Sequence, residues 1–311
     1  MQTFCYTRHQ KKETVIDFLL KRFPYKDKNS WLSCIKSGDV RLNNKKVSPN
    51  VTLKSKDLIS YERPREKEPK IDDWYNIKYQ DENIVVVEKS GNIPISESGK
   101  YHYNTLVNIL KEREGFPELF AVHRLDKETS GIVLIARTKE VATLMGKQFF
   151  NHIPKKHYHA ILIGKMEDEI VVDQPIRKNR PEQGKIRIRQ VVDPEGKSSK
   201  SVFTPEATND SLTLARVQTF TGRTHQIRCH AEHIGFPILG DKLYGQSDET
   251  FINMIKGLSE PVFPPYGRID RQLLHASSLS FVHPLTDEEM TFESDFQKTF
   301  EKYDIVKKSL F

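Results

Sequence analysis

The sequence predicts an α+β fold, in which a mixed, largely antiparallel sheet follows a small basic α/β module. The 311-residue chain is long enough for two or three lobes. Its positive charge is concentrated at one end, because residues 1–70 carry 17 Lys and Arg against 8 Asp and Glu, whereas residues 71–311 carry 32 against 34. The second part contains many strand-like stretches and few helical ones, which favours an antiparallel sheet over a doubly wound parallel one.

The N-terminal part has the pattern of one compact module over residues 1–65. Apolar periodicity and turn residues predict a helix over 14–23, a helix over 30–38, a hairpin around 43–44 and a strand over 51–63. In the second helix we expect Ser30 to be the N-cap and Gly38 to end the helix. A charged segment with prolines then predicts a linker over 66–75.

The rest of the chain, residues 76–311, is predicted to form the larger domain. Strands are predicted over 83–91, 131–138, 157–164, 184–192, 211–220 and 279–284, and helices over 103–114, 138–151 and 224–234. Residues 257–272 show neither period and are interpreted as a loop specific to this lineage.

Composition excludes several classes of protein. The three cysteines are widely spaced and form no CxxC pair, so the sequence predicts neither a disulfide framework nor a thiolate zinc site. No apolar run approaches the roughly 18 residues of a membrane span, and the first residues lack a signal-peptide core. We therefore expect a cytoplasmic protein without a membrane partner. The basic N-terminal part indicates a polyanion-binding surface, or alternatively a solvated lysine-rich face.

The stretch "AVHRLDKETSG" (121–131) places Asp126 in a loop that enters an apolar strand. The carboxylate there either caps a turn or serves a site. Downstream, Thr224 is the predicted N-cap of a helix on which Arg228 lies beside an apolar face formed by Ile227, Ala231 and Ile234. A basic group on a mostly buried face requires an anion, so we predict that Arg228 pairs with Asp126 and keeps it ionised.

Two further features of the sequence bear on its chemistry. Tyr158 begins an apolar strand, where its ring either faces a pocket or is that of a half-buried tyrosine at a strand edge. His225, His230 and His233 are close together, but their spacing differs from that of an HExxH zinc site. The sequence predicts no metal site and contains no glycine-rich nucleotide cradle.

Taken together, these motifs resemble those of the RluA-type pseudouridine synthases. "HRLDKETSG" resembles the family's signature, and four other stretches are similar in the same order: "VVVEKSGNIPISESGKYHYNTL", "KKHYHAILIG", "GRTHQIRCHAEHIGFPILGDKLYG" and "LLHASSLSFVHP". The N-terminal module resembles the alpha-L RNA-binding fold of a ribosomal protein. The opening loop departs from the family pattern at Ser90, Ser96 and Glu97, which are not the family's catalytic positions.

The resemblance implies a role for each residue of the site. Asp126 matches the catalytic aspartate that detaches uracil from ribose and rejoins it through a ring carbon, and Arg228 matches its ion-pair partner. Tyr158 matches the tyrosine that stacks on the base and helps to move the proton. Ile227 matches the aliphatic residue that packs on the base, and Arg124 matches the arginine that fills the space left by the flipped nucleotide.

The resemblance predicts an isomerase that acts on uridines in structured RNA, by flipping the base into its site. Such a reaction needs no cofactor, and we expect a monomer that binds ribosomal RNA, with transfer RNA as the alternative. Lys36, Arg41, Lys45 and Lys46 are predicted to contact phosphates. Two other functions stay open: a non-catalytic RNA-binding or ribosome-assembly factor, and a metal-dependent phosphodiesterase built on the histidines.

Overall fold

A computed structural model describes residues 2–6, 13–23, 26–61, 68–180 and 186–311, with only the backbone described over 2–5. The chain forms two compact units, Met1–Glu68 and Pro69–Phe311. The predicted linker over 66–75 lies partly outside the described residues.

The first unit packs two helices on a four-stranded antiparallel sheet. Its elements are β1 (Gln2–Cys5), α1 (Val15–Arg22), α2 (Lys28–Ser37), β2 (Val40–Leu42), β3 (Lys45–Lys46) and β4 (Leu58–Tyr61), with strand order β1-β4-β2-β3. Both predicted helices and the hairpin are confirmed. Asn43 and Asn44 have φ angles of 50° and 65°, as a two-residue hairpin turn requires. The strand predicted over 51–63 is shorter, because β4 begins at Leu58.

The predicted N-cap of α2 is wrong. The helix begins two residues before Ser30, and the carboxylate of Asp27 caps it by accepting the Ser30 N–H at 2.7 Å. Aspartate and serine are both strong N-caps, so sequence alone does not choose between them. The predicted end is confirmed, since Gly38 adopts a φ of 88° immediately after the last helical residue.

The second unit is built on a ten-stranded sheet. Its helices are α3 (Leu106–Glu114), α4 (Lys139–Phe150), α5 (Gln226–His233), α6 (Asp248–Ile255), α7 (Phe296–Phe300) and α8 (Asp304–Leu310). Its strands are β5 (Tyr75–Gln80), β6 (Ile84–Lys89), β7 (Phe120–Ala121), β8 (Ser130–Ala136), β9 (Lys155–Ile163), β10 (Ile170–Asp173), β11 (Ile176–Lys178), β12 (Gln190–Val192), β13 (Lys200–Thr208), β14 (Leu212–Thr219), β15 (Val262–Phe263), β16 (Gly267–Arg268), β17 (Leu274–Val282) and β18 (Glu289–Glu293).

The mixed, largely antiparallel sheet is confirmed. Its strand order is β10-β13-β14-β9-β17-β8-β6-β5, with β18 added to β17 and β7 added to β8. All pairings in this sheet are antiparallel except that between β8 and β17. No helix in the described residues is both long and apolar enough to cross a membrane.

Alternating apolar residues give β6 and β8 two buried faces. On one face, Val87 and Val133 pack with α3 through Leu110. On the other face, Ile132 and Leu134 pack with α4 and with Leu279 and Phe281 of β17. Burial on both sides explains why these two strands are nearly continuous runs of Val, Ile and Leu.

Two predictions in this unit need correction, and three helices were missed. The strand predicted over 184–192 is reduced to β12; residues 184 and 185 lie outside the described part of the chain. The predicted loop 257–272 contains the β15–β16 hairpin, with Phe263 and Ile269 buried in the core. Helices α6, α7 and α8 were not predicted.

The parallel pair β8–β17 determines where the site forms. Ala276 of β17 pairs with Gly131 of β8 on one side and with Tyr158 of β9 on the other. Gly131 has a φ of 109°, and a side chain there would collide with the Ala276 carbonyl. The close approach of the strands brings the loop before β8, which carries Asp126, next to the strand that carries Tyr158.

Candidate active site

The loop that carries Asp126 is fixed on both sides of the carboxylate. Its backbone carbonyl accepts the Thr129 N–H at 3.1 Å, and the Lys127 carbonyl accepts the N–H of Asn92 at 2.8 Å. His123, also in the motif, accepts the Leu134 N–H at 2.9 Å through Nε2. The histidine of "HRLD" therefore ties the loop to β8.

The Asp126 side chain lies in an open pocket of about 470 Å³, part of which is continuous with solvent. The pocket is lined by Arg124, Leu125, Asp126, Thr129, Tyr158, Thr219, Thr221, Gly222, Arg223, His225, Gln226, Ile227, Arg228 and Leu274. All five residues assigned to the larger domain by the sequence (Arg124, Asp126, Tyr158, Ile227 and Arg228) are thus in one pocket.

Arg228 joins two carboxylates. Its Nη1 donates to Asp126 Oδ2 at 2.7 Å, which is the pairing that the sequence predicts. Its Nε and Nη2 donate to the two oxygens of Asp241 at 2.6 and 2.9 Å. The bidentate contact with Asp241 fixes the plane of the guanidinium and aims the remaining donor at Asp126.

The predicted cap of α5 is wrong. The N-cap is His225, which has a φ of 55° and makes no capping hydrogen bond with its side chain. Thr224 instead accepts from Arg124 Nη2 at 2.7 Å. The Gln226 side chain instead holds the turn before α5. Its Oε1 accepts from Thr221 Oγ1 at 2.6 Å and from the Arg223 N–H at 3.1 Å.

The electrostatics of the pocket keep Asp126 ionised. Burial by itself raises the pKa of this carboxyl, but the charge and hydrogen bond of Arg228 outweigh it, so the pKa lies below the usual value. His225 Nε2 is 3.9 Å from the same carboxylate. Burial lowers the pKa of His225 to about 4, so this imidazole is neutral at pH 7. The positive charge paired with Asp126 at pH 7 is therefore that of Arg228.

Tyr158 and Ile227 provide the apolar side of the pocket. Ile227 is almost fully buried in a cluster with Ala231, and Tyr158 packs against that cluster while remaining half-buried. Burial raises the pKa of Tyr158 to about 12, and the nearby Asp126 carboxylate adds to the effect. The phenol is therefore protonated at neutral pH and able to donate.

The remaining predicted residues are at the surface. Arg124 is exposed at the rim of the pocket. Lys36, Arg41, Lys45 and Lys46 all belong to the first unit, where they are exposed on α2 and on the β2–β3 hairpin.

The clustered histidines have separate environments. His225 faces the pocket and bonds to the Tyr244 hydroxyl at 3.1 Å. His230 is buried between Ser201 Oγ and the Gln174 carbonyl, at 3.0 and 3.1 Å. His233 is exposed. Within the described ranges, no group of three or more metal-binding side chains has the arrangement of a metal site.

Sequence reasoning missed three supporting residues. Asp241 follows a glycine in "ILGDKLYG", and a carboxylate inside an apolar stretch was the available signal. Lys89 ends the apolar run "IVVVEK", and its ammonium group, fully buried, donates to the carbonyls of Ser90 and Lys127 at 2.9 and 3.2 Å. Gln272 lies just before β17, and its Nε2 donates to Thr129 Oγ1 at 2.8 Å. The sequence gives no signal for this contact.

Lys89 predicts a pH dependence of stability. Burial, with Arg271 nearby, lowers its pKa to about 7 from 10.5, so the unfolded chain binds more protons between those values. The free energy of unfolding of the wild type, relative to Lys89→Met, should therefore rise from pH 7 to pH 10, by at most about 1.4 kcal/mol per unit. Urea unfolding across this range measures the difference. Lys70→Met, an exposed control, should show no comparable trend.

Comparison with known proteins decides the family. A family model described as RNA pseudouridylate synthase matches residues 83–233, which include Asp126, Tyr158 and Arg228. An RNA pseudouridine synthase of Bacillus subtilis is 31% identical over 277 residues, covering 85% of this chain and 89% of that protein. This chain belongs to the RNA pseudouridine synthase family.

Other members of the pseudouridine synthase family are similar over most of the chain. A mitochondrial tRNA pseudouridine(32) synthase of Saccharomyces cerevisiae is 28% identical over 82% of this chain, but the chain spans only 55% of that protein. Ribosomal large subunit pseudouridine synthase D of Xanthomonas campestris is 28% identical, over 87% of this chain and 81% of its own length. The solved structure of human RNA pseudouridylate synthase domain containing 4 aligns with a TM-score of 0.55 and 26% identity, over 73% of this chain and 90% of that one.

Proposed function

We propose that this pseudouridine synthase family member isomerises uridine to pseudouridine in RNA, with Asp126 as its catalytic residue. The observation that carries the proposal is the carboxylate of Asp126, held by Arg228 at 2.7 Å in an open pocket beside Tyr158 and Ile227. An ionised carboxylate beside an apolar surface suits a reaction at the junction between a sugar and a flat base.

The reaction balances without a second substrate. The bond from ribose C1′ to uracil N1 breaks, the base turns, and a bond from C1′ to C5 forms. The proton on C5 is lost and N1 gains one, so the product is an isomer of the substrate. Asp126 acts on C1′ as a nucleophile or as an electrostatic stabiliser, and the protonated Tyr158 is placed to take part in the proton movement.

The pocket also suits a base that has left its stack. Flipping a nucleotide costs a few kcal/mol, which favours loops and deformable RNA. Ile227 and Tyr158 would pack on the flipped uracil and retain it during rotation. Arg124, exposed at the rim and held by Thr224, is placed to occupy the vacated position in the RNA.

We favour ribosomal RNA as the substrate, acted on in the cytoplasm by a monomer without a cofactor. The resemblance of residues 1–65 to a ribosomal RNA-binding fold supports this choice, as does the name of the Xanthomonas relative. The name of the yeast relative makes transfer RNA the alternative. Mapping pseudouridines in total RNA from cells with and without the gene tests the proposal. An identical map, together with tight RNA binding by the purified protein, would instead support a non-catalytic RNA-binding factor.

The exposed basic residues of the first unit carry a separate prediction. Replacing Lys36, Arg41, Lys45 and Lys46 together by glutamine should weaken RNA binding. Each phosphate contact releases counterions from the RNA on binding, and this favourable release is lost with the contact. The slope of log affinity against log salt should flatten by up to about 0.7 per lost contact with single-stranded RNA. Fluorescence anisotropy over a salt series measures both changes.

The matched control neutralises four other basic residues of the same unit, Lys21, Arg22, Lys54 and Lys56, which are also exposed. This control removes the same net charge from a different part of the unit. If both variants flatten the slope equally, the first unit attracts RNA by its net charge alone, and the predicted contact surface on α2 and the hairpin is wrong.

A further inference from the structure

The turn that follows β14 carries positive charge that the protein itself does not neutralise. Lys156 is almost fully buried, and its Nζ donates to the Thr221 carbonyl at 3.1 Å. Arg223 is half-exposed, and its Nε donates to the Ser198 carbonyl at 3.0 Å. Over the described residues, neither cation has a carboxylate within ion-pair distance, and both of these acceptors are neutral.

Three partly or fully buried arginines of the second unit are paired with carboxylates, whereas Arg137, Arg271 and the fully buried Lys89 donate to backbone carbonyls. Arg177 pairs with Asp193, and Arg189 pairs with Glu232 at 3.0 Å. Arg228 has two carboxylates. A buried cation without a counter-charge is costly, and one that lies beside an open pocket is placed to receive an anion from outside.

The two cations are near each other and near the pocket. Arg223 and burial together lower the pKa of Lys156 to about 8, burial being the larger cause. Both cations also lower the pKa of His152, after burial. Thr221, Gly222 and Arg223 line the same pocket as Asp126. Any anion held at this turn would therefore be next to the base site.

Gly222 lies next to the buried ammonium group of Lys156. This glycine is exposed, and a Cβ built on it would lie 3.7 Å from Lys156 Nζ. A side chain at this position would contact the ammonium group. The turn thus brings together a buried lysine, a half-exposed arginine and an exposed glycine.

Resting on the proposed function, we infer that Lys156, Arg223 and the turn 221–223 form a binding site for a backbone phosphate of the RNA, adjacent to the flipped uridine. A phosphate oxygen accepts well from both ammonium and guanidinium groups. The site would hold the strand in register with the pocket, which positions the uridine without reading its sequence.

Arg223→Gln is the variant of choice because Arg223 is half-exposed, whereas Lys156 is part of the interior. On a short synthetic RNA that spans the mapped uridine, the KM of this variant should rise about tenfold, as expected for one lost charge-assisted contact. Arg216→Gln is the matched control, because Arg216 is on β14 itself and is already paired with Glu206 at 3.2 Å. It should retain the wild-type KM.

Neutral methylphosphonates at the two phosphates that flank the uridine, introduced one at a time, identify the ligand. One of them should raise the wild-type KM at least about tenfold and have a smaller effect on Arg223→Gln, in which only the contact with Lys156 remains to be lost. If the wild type tolerates both methylphosphonates, or if the variant stays as sensitive as the wild type, the phosphate site is refuted.

Failure of the proposed function has a different signature, namely no pseudouridine formed by the wild type. The phosphate site is then decided by binding of oligouridylate over a salt series. Arg223→Gln should flatten the slope by about 0.7 and Arg216→Gln should not. Equal slopes for the wild type and Arg223→Gln would overturn the site.

Discussion

Asp126→Asn is expected to abolish pseudouridine formation while the protein stays folded and still binds RNA. The amide keeps the size of the side chain but loses the negative charge that the reaction at C1′ requires. Loss of a nucleophile or of the main electrostatic stabiliser lowers turnover by at least about 10⁴-fold. Single-turnover conversion of RNA from cells that lack the gene, followed by pseudouridine mapping, measures the residual activity.

The structure explains why this variant should fold. Arg228 keeps its bidentate contact with Asp241, so its buried charge stays neutralised after Asp126 is replaced. We expect a loss of no more than about 1 kcal/mol in the free energy of unfolding. Asp168→Asn, which removes a charge from an exposed position, should leave activity unchanged. A loss of turnover well below about 10⁴-fold in Asp126→Asn would refute the assignment of this catalytic residue.

The contact between Asp126 and Arg228 was predictable because it follows from a local pattern and one physical rule. Helical periodicity places Arg228 beside the apolar face of Ile227 and Ala231, and a buried guanidinium requires an anion. The structure confirms the contact at 2.7 Å. The second anion was missed: the carboxylate of Asp241 inside an apolar stretch was a signal, but its partner is reached only through the irregular segment after α5.

The position of Tyr158 shows the limit of local patterns more clearly. Its neighbourhood depends on β17, more than a hundred residues later, which inserts between β8 and β9. Strand order is set by long-range packing and by the clearance at Gly131, and neither is encoded in a strand's own alternation. The N-cap of α2 was assigned wrongly for another reason. Aspartate and serine are both preferred N-cap residues, so the sequence does not distinguish Asp27 from Ser30.

Asp241→Asn is expected to have the largest effect on stability of any single change at the site. Asp241 is fully buried, and besides binding Arg228 it accepts the N–H groups of Leu243 and Tyr244 at 2.9 and 3.0 Å. Removing its charge leaves the buried guanidinium with Asp126 alone. Breaking a buried ion pair from one side costs about 3–5 kcal/mol, which urea unfolding at pH 7 would measure.

A double-mutant cycle tests whether Asp241 acts on stability through its ion pair with Arg228. If Asp241 acts through the charge of Arg228, then Asp241→Asn should cost much less in an Arg228→Met background, where no buried cation is left unpaired. If the cost is the same in both backgrounds, the backbone hydrogen bonds of Asp241 account for its effect. The expected coupling would mean that Asp241 neutralises and orients Arg228, which leaves Asp126 available for the reaction at the mouth of the pocket.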